Sequence, residues 1–136
     1  MLAMLDLAQI PIRSSERTDR HPLVMAGGPA AFFPEPIAAF VDLFFVGDAE
    51  EGLPEILGKL HGMRTATRRE KLEQLARSIP GVYVPALYDQ SHQPSIDSLS
   101  ARIKARVVES LKPEYYPPAP VVPLIETVHN YLNIEI

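Results

Sequence analysis

The chain has 136 residues, 46% hydrophobic and 22% charged, with a net charge of −4. That composition suits one globular domain and argues against a nucleic-acid partner, whose binders carry a basic face. With no cysteine, the chain cannot form disulfides, a thiol nucleophile or a Cys-ligated iron–sulfur or zinc site of its own.

No run approaches the roughly 18 apolar residues of a spanning helix. The apolar start MLAMLDLAQIPI has no basic leader and is interrupted by Asp6, so no membrane association is expected and a cytoplasmic setting is the default. Residues 2–9 read as a short helix stopped by Pro11, and RSSERTDRH as a polar loop. Residues 23–26 form a short apolar run without alternation, the pattern of a strand buried on both faces. Gly27-Gly28 ends it. Pro34 and Glu35 then suit the first turn of a helix carrying Ile37, Phe40 and Val41.

DLFFVG (42–47) is a second unalternating run. In the helix that follows, Leu53, Ile56, Leu57 and Leu60 share one face. Asp48 is a candidate cap with Glu51 three residues on, and Pro54 predicts a bend or a later start. The next helix has a capping-box pair, Thr67 and Glu70, an apolar face of Leu72, Leu75, Ala76 and Ile79, and a stop at Pro80-Gly81. GVYVPALY (81–88) reads as a third strand, disturbed by Pro85. ARIKARVV (101–108) reads as a strand exposed on one face, and YLNIEI (131–136) as another. The basic groups Arg64/Arg68/Arg69/Lys71 and Arg102/Lys104/Arg106 read as solvated surface.

Fourteen prolines are present, and five lie between Pro113 and Pro123, so PEYYPPAPVVP is expected to be an extended connector. Helices alternating with strands predict an α/β fold with a parallel sheet and right-handed crossovers. The helix at the start and the strand-like end both read as cuts through a larger protein. Missing strands would leave an unpaired sheet edge, a surface for self-association.

In such a sheet, ligands sit beyond the carboxyl ends of the strands. Two loops qualify: Gly27-Gly28-Pro29, where glycine lets a ligand approach the main chain, and Gly47-Asp48-Ala49-Glu50-Glu51. The carboxylates of the second loop disfavour a phosphate and suit hydroxyl or amide partners. A tight turn and ordinary helix capping explain the same residues without a ligand. Neither GxGxxG nor GxxxxGK[ST] occurs. His21, His61, His92 and His129 are scattered without metal-ligand spacing, and no GxSxG elbow supports acyl transfer. Phe32/Phe33 read as core or flap aromatics, and Tyr115-Tyr116 as a packing anchor.

PLVMAGGPAAFFPEPIAAFVDLFFVGDAEEGLPEIL, then IPGVYVPALY, then PVVPLIETVHNYLNIEI resemble, in order, consecutive pieces of one family: radical SAM proteins with an N-terminal cobalamin-binding-like domain, often labelled Fe-S oxidoreductases. The resemblance spans the whole chain. In that family VHNYLNIEI leads into a CxxxCxxC cluster motif, and this chain stops just before it. The resemblance implies a parent that holds a 4Fe-4S cluster and S-adenosylmethionine in a barrel beginning near Tyr131. This chain would then be a fragment without catalysis of its own. Residues 1–110 would be the C-terminal part of a partial Rossmann-like, cobalamin-binding-type domain, and 111–136 the Pro-rich linker and first barrel strand. The domain's partner would be the barrel of the same parent chain. The resemblance also places Gly27, Gly28, Pro29, Gly47, Asp48, Glu50 and Glu51 at the ligand edge, with cobalamin the ligand. Phe33 stands where the family often has a polar residue and Ala49 where it often has glycine. The DxHxxG motif of cobalamin-dependent mutases is absent, so no axial histidine is assigned. Two alternatives stay open: an interaction module that only packs on the barrel or a partner, and a small stand-alone nucleotide-binding α/β protein.

Overall fold

The computed structural model describes residues 1–115. Its regular elements are α1 (Leu2–Leu7), β1 (Met25–Ala26), β2 (Leu43–Phe45), α2 (Ala49–Gly62), α3 (Arg68–Ser78) and β3 (Val82–Tyr83). Short 3-10 segments occupy Ser14–Glu16, Pro29–Phe32, Glu35–Phe40, Pro85–Leu87 and Pro113–Tyr115.

The fold is a small α/β unit built on a sheet in the order β1-β2-β3. β1 pairs parallel with β2, Met25 opposite Leu43 and Ala26 opposite Phe44. β3 departs from the all-parallel expectation: it runs antiparallel to β2, Phe44 opposite Tyr83 and Phe45 opposite Val82. The physical reason is the pair of helices between β2 and β3. α2 carries the chain away along the sheet and α3 brings it back, so the chain re-enters from the end at which β2 finished.

β2 is the spine of the domain. Leu43, Phe44 and Phe45 are all buried, as its unalternating run predicts. Leu43 and Phe45 face a core shared with Ile56 of α2, Leu72 and Leu75 of α3, Ile79 and Val84. Phe44 and Val46 face the opposite way, onto Ala31 and Val41. Gly52 of α2 lies flat on the Phe45 ring; a Cβ there would come within 2.1 Å of Phe45 Cζ, so this glycine sets how closely helix and sheet approach.

α3 follows its sequence signals. The Thr67 hydroxyl accepts from the Glu70 amide at 3.3 Å, and the Glu70 carboxylate accepts from the Thr67 amide at 2.7 Å. Such a cap contributes about 1 kcal/mol. Leu72, Leu75 and Ile79 are buried as expected, and Ala76 packs against them.

Other expectations fail for local reasons. The stretch after Pro34 is 3-10 rather than α: it spans Glu35–Phe40 and ends at the extended Val41. α2 does not wait until Leu53: it starts at Ala49 and includes Pro54. Its buried face is Gly52 and Ile56, and Leu57 is 57% exposed. The 81–88 strand is cut after Tyr83, because Pro85 opens a 3-10 turn. Residues 101–108 contribute a single parallel bridge, Arg106 to Gly47, instead of a strand. Phe32 and Phe33 are exposed, 56% and 76%, and are not core. YLNIEI, Tyr116 and most of the expected connector lie outside the described residues.

Candidate functional site

Because β1 and β2 are parallel, the two loops singled out in the sequence leave the sheet at the same edge. Gly27, Gly28 and Pro29 are exposed there. Gly28 has φ +80°, a left-handed conformation that favours glycine, and a Cβ at that position would meet nothing within 4 Å. Pro29 opens the following turn, which closes with the Ala31 amide donating to the Gly28 carbonyl at 2.9 Å.

The second loop is covered by the chain's own later segment. The Arg106 amide donates to the Val46 carbonyl at 2.9 Å, and the Asp48 amide donates to the Arg106 carbonyl at 2.9 Å. Gly47 sits beneath at φ +120°, where a Cβ would fall 2.0 Å from the Arg106 carbonyl oxygen. Asp48 holds the N-cap position of α2 without a side-chain cap bond; its Oδ2 accepts instead from the Val108 amide at 2.8 Å. Glu50 stands half-buried in the first turn of α2. Glu51 accepts from Arg106 Nη2 at 3.2 Å and from the Tyr115 hydroxyl at 2.6 Å, and Glu55 accepts from Arg106 Nη1 at 3.3 Å. Residues 104–108 are therefore a strap over the loop. Sequence reading had placed Arg106 among solvated charges; nothing local marks it, since its partners are about 50 residues away.

The strap carries a pH signature. The Tyr115 hydroxyl first, and then Arg106, hold the Glu51 carboxyl below its usual 4.5. The same hydrogen bond raises the Tyr115 phenol above its usual 10.0. A carboxylate lowered in the folded state stabilises above its unfolded value and loses that contribution as pH falls through the folded one. A raised phenol stabilises below its unfolded value and loses the contribution as pH rises through the folded one. The strap contact is thus expected to hold fully from about pH 4.5 to about pH 10, and to open only once pH falls below the lowered Glu51 value or rises past the raised Tyr115 value. Tyr115 ring resonances followed by NMR across pH 3–11 test this; a contact indifferent to acid would refute it.

The opposite edge of the sheet carries the most buried charge. Asp42, just before β2, is ion-paired through Oδ2 with Arg17 Nη1 and Arg68 Nη2, each at 2.7 Å, and accepts from the Val24 amide at 2.7 Å. The side chains of Arg17, Asp42 and Arg68 are 0%, 2% and 10% exposed. Arg17 also donates to the carbonyls of Pro11, Ile12 and Phe40, and Arg68 to those of His21 and Pro22. Arg68 Nε is buried without a partner. Beside this triad opens a cavity of about 1080 Å³. Sequence reading missed all of it: Arg17 lay in a polar loop and Arg68 in a basic cluster taken as solvated. A smaller cavity of about 250 Å³ lies near Phe32, Tyr83 and Tyr88.

Among the described residues no cluster of His, Asp or Glu could hold a metal ion, and no helix is long and apolar enough to cross a membrane. The chain's lack of cysteine means it offers no thiolate to an iron–sulfur cluster. On the loop edge, the Gly47 side is covered by the Arg106 backbone.

In this small α/β unit the Gly28 turn is open, and the neighbouring Gly47 loop is covered by residues 104–108. Residues 1–85 match the family described as Radical SAM proteins, N-terminal, and, since this is more than half of the 136 residues, the chain belongs to that family. No curated protein and no solved structure matches it.

Proposed function

We propose that the chain is the accessory N-terminal part of a radical SAM protein. In this reading it supplies no catalytic group and uses the carboxyl edge of its sheet to hold the chain that leads onward to a barrel. Family membership supports the setting. The strap carries the assignment: Asp48, Glu51 and Glu55 all bind residues 106–115, the stretch leading into the Pro-rich connector. When bound in the barrel, a 4Fe-4S cluster and S-adenosylmethionine would supply the radical chemistry; the residues described here would orient that barrel.

Trypsin tests the packing role. In the wild type, cleavage after Arg106 should be slow, and Glu51→Ala should accelerate it several-fold, since Tyr115 loses its partner and Arg106 keeps only Glu55 of its two carboxylates. Equal cleavage of the two would refute it.

A second reading is favoured by Gly28, exposed with open space above it: Gly27, Gly28, Pro29, Gly47, Asp48, Glu50 and Glu51 would face a cobalamin-type ligand once the strap moves. Titration with hydroxocobalamin separates the two. The packing reading expects an unchanged visible spectrum, and a saturable spectral change would establish the ligand reading instead.

The outer edge of β1 has no strand partner among the described residues, and Met25 on it is 40% exposed. This edge is the face we assign to the following barrel. Without that cover the chain should self-associate through it. Sedimentation velocity should show a weight-average coefficient rising with concentration; a monomer at all concentrations would count against the assignment.

A further inference from the structure

The cavity beside the buried triad lies at the sheet edge opposite the strap and is independent of the reading above. Its lining brings Arg13, Arg17 and Arg68, with the carboxylates Asp19 and Asp42, together with apolar Leu87 and Ile96.

The triad itself points to an anion. Two guanidiniums share the single carboxylate of Asp42, so a group with almost no access to water retains a positive charge. Backbone carbonyls satisfy most of the N–H donors but cancel no charge, and an uncompensated buried charge is costly. Arg68 Nε keeps an unused donor in a side chain that is nine-tenths buried and borders the cavity. Asp19 offsets part of this surplus, its carboxylate accepting from the Arg68 amide, and Arg69 is occupied by Glu73 at 2.7 Å. Arg13 remains at the rim, 6.0 Å from the Phe40 ring centre, with no carboxylate partner among the described residues. The first turn of α3 borders the same space, adding the positive end of its dipole. A cationic wall in a chain of net charge −4 is local placement and does not follow from composition.

We propose that this cavity binds a small amphipathic anion, a phosphate or carboxylate joined to an apolar or aromatic body. The anionic group meets Arg13 and the edge of Arg68, and the body lies over Leu87 and Ile96. A volume of about 1080 Å³ is far larger than an inorganic ion needs and lies just above the usual range of small-molecule sites.

Calorimetric titration of the whole chain with AMP, octanoate and inorganic phosphate tests this, with thermal unfolding run alongside. AMP and octanoate distinguish a phosphate from a carboxylate head group. The expected result is saturable binding of at least one of them, with a rise in midpoint that phosphate alone does not match. Arg13→Ala should weaken that binding about tenfold, and Ala86→Trp, on the cavity wall, should abolish it. Both residues are exposed, so the unliganded midpoints should stay near wild type. Absence of saturable binding at millimolar concentration, phosphate binding as tightly as AMP and octanoate, or binding that both variants leave unchanged would each overturn the proposal.

Discussion

Replacing Asp42 by Asn is expected to lower the stability of the domain by about 3–5 kcal/mol, a large part of what a domain of this size possesses. The carboxylate is 2% exposed and faces two guanidiniums at 2.7 Å. An amide in its place leaves both cations buried and unpaired. It also weakens the clamp on β1, because Asp42 Oδ2 accepts from the Val24 amide while the Asp42 amide donates to the Val24 carbonyl at 2.8 Å. Chemical denaturation measures the loss. A control separates charge from shape: replacing Arg17, Asp42 and Arg68 together by Met, Leu and Met should recover most of the stability, as apolar replacements of whole buried ion clusters do. A loss below about 1 kcal/mol in Asp42→Asn would show that the triad is not the electrostatic anchor described.

The second large effect is expected at Gly47→Ala. At φ +120° the new methyl group is strained, and it would sit 2.0 Å from the Arg106 carbonyl oxygen, a backbone atom that cannot turn aside. The strap must lift, losing the Arg106, Asp48 and Val108 hydrogen bonds. Strain and lost bonds together should cost about 2–4 kcal/mol. Gly28→Ala is the matched comparison. That position also has positive φ, but its space is open, so only the backbone strain of about 1–2 kcal/mol applies. The Asp48 and Val108 amides should lose hydrogen-exchange protection in Gly47→Ala and keep it in Gly28→Ala. Equal penalties at the two glycines would mean that the strap contributes nothing to stability.

How much of this was legible in the sequence depends on the range of each interaction. The Thr67–Glu70 cap spans three residues and could be read directly. The double-sided burial of β2 was legible because an unalternating apolar run has no polar face to show. The antiparallel direction of β3 was not, because it follows from how α2 and α3 pack on the sheet and no local residue pattern shows that. Arg17, Asp42 and Arg68 lie 25 residues or more apart, and no local pattern distinguishes a guanidinium bound for the core from one bound for water. Arg106 was hidden in the same way. That the two glycine loops leave the sheet side by side was legible, since β1 and β2 are parallel, but the second loop is covered by residues whose approach depends on the whole topology.

The strap also sets an order of assembly. Asp48 and Val108 are 60 residues apart, and Glu51 and Tyr115 are 64 apart. During synthesis β1, β2 and the two long helices leave the ribosome before the segment that closes over them. Until residue 108 emerges, the Gly47 edge stands uncovered on a sheet whose first two strands can already pair. A nascent chain therefore passes through an open form that the finished domain no longer displays, and anything meant to be enclosed at that edge has its easiest access during translation.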